Sequence, residues 1–258
     1  MKKIIAVLFA FCLLLTNCGE DNDDNVTITT PEASVGFRLS HNFDEISVTN
    51  SNYTTLNLNN ANGEILTIER LRYQISKVEL INSEGVIYKM NDYHLLDLSN
   101  PETFSFDGDT QIPFGNYTLN FIWGFNEEDN IDGAYPDLNS ASWNWPVMLG
   151  GGYHFLQFDG KYNVNTSSPS PFNFHNGTAR ISPDNFEQNF VSFNFSQTIE
   201  INSDTNIELN MDISELFKNP NTWDLNVLDT SLMLNYNAQK MMQANIETVF
   251  TIGDIITN

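Results

Sequence analysis

Four histidines stand out in this 258-residue chain: His41, His94, His154 and His175. Imidazole is a ligand for Zn, Cu, Fe or Ni, so these are the residues whose type could do chemistry. His41 falls between Leu39 and Phe43 in an alternating run, on the apolar side. His154 shares a strand face with Leu156 and Phe158, His175 lies opposite Phe172 and Phe174, and His94 sits in Tyr93-His94-Leu95-Leu96-Asp97-Leu98. An imidazole on an apolar face is costly to desolvate unless a hydrogen bond or a metal satisfies it. His41 and His175 are the expected core of a metal site, with His154 next and His94 last. The loop Asn126-Glu127-Glu128-Asp129-Asn130-Ile131-Asp132-Gly133 packs oxygen ligands closely but lacks EF-hand spacing, and reads as a solvated turn.

Other chemistries are missing. No Gly-rich phosphate loop precedes a helix, and neither G-x-S-x-G nor H-E-x-x-H occurs. The expected activity is binding without catalysis. The balance of 33 acidic against 11 basic residues gives a formal charge of −22, the opposite of a nucleic-acid binder.

These residues need elements to hold them. A hydrophobic fraction of 41% with 12% aromatics is ample for a packed core. The 36 asparagines favour turns over helix interiors. From Val35 the pattern has period two: Val35, Phe37, Leu39, His41 and Phe43 share a face. Further strands are expected over 53–58, 64–69, 72–81, 86–90, 93–98, 116–124, 153–159, 178–182, 190–201 and 206–212. Turn signals such as Asn62-Gly63 and Asp107-Gly108 separate them. Helices are expected only at 213–218 and 236–247, before a last strand at 248–252. The fold class is all-β, an antiparallel β-sandwich with one or two short helices near the C-terminus, in one domain over 35–258.

The N-terminus reads as export machinery. Lys2 and Lys3 precede the apolar run Ile4–Leu15, too short to span a bilayer and proportioned like a signal peptide over 1–17. Leu15-Thr16-Asn17-Cys18 resembles a bacterial lipobox, in which Cys18 would be acylated. The acidic stretch after it makes 18–34 a tether, and it resembles the signal that sends Bacteroidetes lipoproteins to the outer face of the outer membrane. With Cys12 removed, Cys18 is the sole cysteine, and no internal disulfide can form. A periplasm-facing anchor is the alternative.

Leu71-Arg72-Tyr73-Gln74-Ile75-Ser76-Lys77-Val78-Glu79-Leu80 resembles a strand of the MbnP-like family, named for a periplasmic copper-binding protein of methanobactin gene clusters. The likeness continues in order through Tyr93–Leu98, Ile112–Tyr117, Trp143-Asn144-Trp145-Pro146, Gly151–Gly160, Phe174-His175-Asn176-Gly177 and Glu208–Ile213. Two positions depart from the pattern: Gln157 replaces a usual Lys, and Trp123-Gly124-Phe125-Asn126 stands where the family has Ile-Gly-Val-Asp. The stretch between Trp145 and Tyr153 is also longer than in the founding proteins. The resemblance implies a β-sandwich that binds copper through histidines, in some relatives with a tryptophan oxidised to kynurenine by a di-haem, peroxidase-like partner. Trp143 and Trp145 match a family motif; Trp123 and Trp223 do not. The resulting expectation is an exported lipoprotein that binds copper, as Cu(I), for storage, uptake or transfer. The alternative is a surface lipoprotein that binds glycan or protein and serves a TonB-dependent outer-membrane transporter.

Overall fold

A computed structural model describes residues 30–257. The expected signal peptide, Cys18 and most of the tether lie outside the described residues. From Pro31 onward the chain forms one compact unit.

The main strands are β1 (Val35–Phe43), β2 (Ile65–Asn82), β3 (Ile87–Asp97), β4 (Gly115–Trp123), β5 (Leu156–Tyr162), β6 (Ser170–Asn176), β7 (Val191–Asn194), β8 (Thr205–Asp212) and β9 (Phe250–Thr257). Helix α1 (Pro136–Ser140) follows β4, and α2 (Tyr236–Ile246) precedes β9. Together they make the all-β sandwich that the alternating sequence leads one to expect. One sheet is organised around the 18-residue β2, which pairs with β3 along one edge. Along its other edge β2 pairs first with β5 and then with β4, all antiparallel. β6 extends this sheet beyond β5, and β7 extends it beyond β4. The second sheet is β9–β8–β1, with β8 and β1 parallel.

β5 and β4 part company at Gln74. Its N–H donates to the Phe155 carbonyl at 3.1 Å, and its own carbonyl accepts from Gly124 N–H at 2.8 Å. The long strand thus splays its partners and curls the sheet around the second one. The core between the sheets is aromatic. Tyr73 stacks on Trp123 with centroids 5.0 Å apart, and Phe250 of the facing sheet meets both rings. Each such ring buries on the order of 150–250 Å².

Several boundaries differ from the sequence expectation. The 64–69 and 72–81 segments are one strand, as are 86–90 and 93–98. The 190–201 segment divides into β7 and a short strand at Ile199–Ile201. Residues 53–57 form turns, because Asn52 accepts from Thr49 N–H and Thr55 N–H bonds back to the Asn52 carbonyl. Local asparagine bonding there overrides the strand preference of the β-branched residues. The segment Ile213–Phe217 is a 3-10 turn, with Asp212 capping Ser214 N–H at 2.9 Å. Helix α1 had no apolar period to announce it, and Pro at its start supplies the turn.

Candidate metal centre

Register decides which histidines can meet. Tyr73, Leu156 and Asn176 are aligned across β2, β5 and β6, as are Arg72, Gln157 and His175. Adjacent residues on a strand point to opposite faces, so Tyr73 and His175 face away from each other. Tyr73 faces the core between the sheets, where its hydroxyl bonds His41 Nε2 at 3.0 Å. His175 emerges on the outer face, beneath the segment 141–154.

The structure therefore does not join His41 to His175, and their expected pairing as the core of one site is corrected: a sheet lies between them. His41 is buried between Tyr73 and Phe104, and its Nδ1 has no partner. Burial pushes its pKa down to about 3, so the ring is neutral at pH 7. His94 is elsewhere again, bonded to the Thr103 carbonyl at 2.7 Å and stacked near Phe106.

What the structure brings together is His154 and His175, with ring centroids 5.6 Å apart and nearly perpendicular planes. The sequence placed His154 on a strand face with Leu156 and Phe158, but β5 starts only at Leu156. The preceding Gly150, Gly151 and Gly152 all have positive φ, at 114°, 65° and 79°. Only glycine adopts such a run cheaply, and it breaks the period-two frame before the strand begins.

Hydrogen bonds set the donor nitrogen of both rings. His154 Nδ1 lies 3.1 Å from the Trp143 carbonyl, which can only accept. Nδ1 therefore carries the hydrogen and Nε2 keeps its lone pair. Burial pushes the pKa of His154 down to about 4, with the neighbouring His175 adding to the shift. His175 Nε2 lies 2.7 Å from Asp159 Oδ1. That carboxylate also accepts from Asn173 Nδ2 at 2.6 Å and pairs with Arg70. Burial opposes ionisation of Asp159, but His175, Asn173 and Arg70 outweigh it and hold its pKa at about 2. The ionised acceptor makes Nε2 the donor of His175, and Nδ1 is the ring nitrogen that this contact leaves open. Metal-ligating histidines are usually oriented in this way, one nitrogen on a carboxylate or carbonyl and the other open.

Two tryptophans pack on His154. Trp143 donates from Nε1 to Gln74 Oε1 at 2.8 Å, and the Arg72 guanidinium lies 5.0 Å above its ring. Trp145 meets His154 edge-on with centroids 4.9 Å apart and donates to the Leu149 carbonyl at 3.2 Å. A Cβ at Gly177 would come within 2.6 Å of the Trp145 ring, so the residue after His175-Asn176 must be small. Trp123 and Trp223 pack in the core on Tyr73 and Phe174.

Among the described residues, no three His, Cys, Asp or Glu side chains converge to hold a metal. The acidic loop at 126–133 is a strap: Asp129 pairs with Lys77 at 2.9 Å, and Asn130 accepts from Tyr153 N–H at 2.9 Å. Sequence inspection missed Asp159, Asn173 and Arg70 as supports of His175. Asp159 and His175 are 16 residues apart in the chain, and only the β5–β6 pairing, which sets Asp159 opposite Asn173, brings them together.

The comparisons with known proteins agree with this architecture. No curated protein matches the chain. The solved structure of MbnP from Methylosinus trichosporium matches with a TM-score of 0.54 at 14% sequence identity, covering 87% of this chain and 99% of that one. At that identity the likeness shows the fold alone. The family model MbnP matches residues 32–246, which spans β1 to β8 and all four tryptophans and histidines. The chain belongs to the MbnP family.

Proposed function

We propose that this protein binds copper as Cu(I) through His154 and His175, for storage, uptake or transfer, and carries out no catalysis of its own. The observation that carries the proposal is the pair of rings whose tautomers are both set with one nitrogen open. A ring nitrogen lies about 1.1 Å from its centroid and a metal about 2.0 Å beyond it. Two imidazoles on one metal therefore have centroids at most about 6.2 Å apart, and 5.6 Å fits. Two neutral nitrogen donors with no converging carboxylate suit a soft, low-coordinate monovalent ion better than Ca²⁺ or Mg²⁺.

Bound copper would supply reversible one-electron and ligand-exchange chemistry. The chain's own residues do the rest. Asp159 and the Trp143 carbonyl orient the rings, and His175, Asn173 and Arg70 together keep Asp159 ionised. Trp143 and Trp145 exclude water from one side. Of the two, Trp145 is the better placed for oxidation to kynurenine by a di-haem, peroxidase-like partner. It abuts His154, and its neighbours Pro146 and Leu149 line an open cavity. The family association supports copper, and the two-histidine geometry supports where it sits.

The test is competition for Cu(I) against a chelator of known affinity. The double variant His154→Ala/His175→Ala should lose stoichiometric Cu(I), whereas His41→Ala should retain it. Retention by the double variant would overturn the site, and loss in the His41 variant would move the ion from this pair to the core.

A further inference from the structure

We infer that Met148 and Met233 form, with Nδ1 of His175, a thioether capture site for a soft monovalent cation at the mouth of the metal centre. The inference rests on the proposed copper reading and names the route by which the ion reaches it.

A cavity of about 460 Å³ opens beside His175, lined by Met148, Leu149, Leu232, Met233 and Leu234 among others. No carboxylate lines it, although the chain carries 33 acidic residues. Two short 3-10 turns, Val147–Leu149 and Leu232–Leu234, build its walls. Leu149 and Leu232 anchor the two turns, each 3% exposed, while Met148 is 66% exposed and Met233 half-buried at the cavity wall.

The walls are fixed in place. Gly151 N–H bonds the Pro146 carbonyl at 3.2 Å, and Trp145 Nε1 bonds the Leu149 carbonyl at 3.2 Å, which closes the first turn. The second turn is tied to the histidine strand by Gln239, which is fully buried. Its amide Nε2 donates to the His175 carbonyl at 2.7 Å and to the Leu232 carbonyl at 3.2 Å. A fully buried amide spanning those two carbonyls holds Met233 in register with His175.

The donor set selects by softness. Thioethers favour Cu(I), whereas carboxylate and carbonyl oxygens favour hard divalent ions. With Nε2 of His175 committed to Asp159, Nδ1 is the one open nitrogen of that ring, so the two sulfurs act on the same ion that His154 holds and complete its shell from the cavity side. Hard cations drawn by the acidic surface gain nothing from this cavity, and a soft monovalent ion does.

Met148→Leu/Met233→Leu keeps volume and apolarity while removing both sulfurs, a change of small cost to folding. The full chain would be loaded anaerobically with Cu(I), and separately with Ag(I) as a redox-inert probe. The readouts are X-ray absorption at the metal edge and competition affinity. The expected result is a sulfur shell in the wild type that the double variant lacks, with affinity for both ions lowered at least tenfold. A nitrogen-only shell in the wild type, or unchanged affinity in the leucine variant, overturns the inference and leaves the histidine site standing. A wild type that holds neither ion overturns the copper reading itself, and the capture site with it.

Discussion

His41 shows what a single residue can and cannot reveal. Its place in the Val35–Phe43 alternation correctly puts it inside the sandwich. The partner that satisfies it is Tyr73, about thirty residues away on the facing sheet, and no local pattern encodes that contact. His154 and His175 were likewise legible as candidates but not as a pair, because the glycine turn before β5 and the β5–β6 pairing together bring them side by side. A pH dependence follows from the burial of His41. Unfolded, the ring protonates near 6.5; folded, it stays neutral until about 3. Between those values the unfolded state binds the extra proton, so stability falls as pH drops from 6.5 towards 3. His154, held down to about 4, contributes with the same sign over a narrower window. The urea midpoint should therefore decline steadily from pH 7 to pH 4.5. His41→Leu should cost about 1–3 kcal/mol at pH 7, because the buried Tyr73 hydroxyl loses its partner, yet it should flatten that decline. An unchanged pH slope in the variant would show that His41 is not the titrating group.

At the scale of elements, strands were well marked by their period and joints were not. The long β2 looked like two strands because Glu69-Arg70 interrupts its alternation, where the outer face carries the arginine that holds Asp159. The turn over the histidines was legible only as glycines. Gly152 shows why they are needed: its φ is +79°, and a Cβ there would meet Asn130 Oδ1 at 2.2 Å. That oxygen accepts from Tyr153 N–H at 2.9 Å, immediately before His154. Gly152→Ala should lower stability by about 2–3 kcal/mol, combining left-handed backbone strain with a lost hydrogen bond. It should also alter the near-ultraviolet circular dichroism of Trp143 and Trp145. Gly63→Ala is the control: its φ is +91°, but nothing lies within 4 Å of the new Cβ. It should cost only the backbone part, about 1 kcal/mol, and leave that signal unchanged. Equal losses in the two variants would mean that the Asn130 contact does nothing for the loop.

At the scale of the whole molecule, charge and anchorage are linked. Removal of residues 1–17 takes away Lys2 and Lys3 and no acid, so the mature charge would be −22 − 2 = −24. Such a domain is repelled by anionic headgroups and nucleic acid, and it concentrates cations near its surface. No helix among the described residues is long and apolar enough to cross a membrane. We propose that the protein is an outer-membrane lipoprotein whose hold on the bilayer comes from acylation of Cys18, each buried methylene contributing about 0.8 kcal/mol. Cys18→Ser should move the protein from the membrane fraction to the soluble fraction without changing its thermal midpoint or its Cu(I) affinity. Both properties belong to a unit that begins at Pro31. Association that persists in the variant, and that salt does not remove, would place the membrane contact in the folded domain and end the lipoprotein assignment.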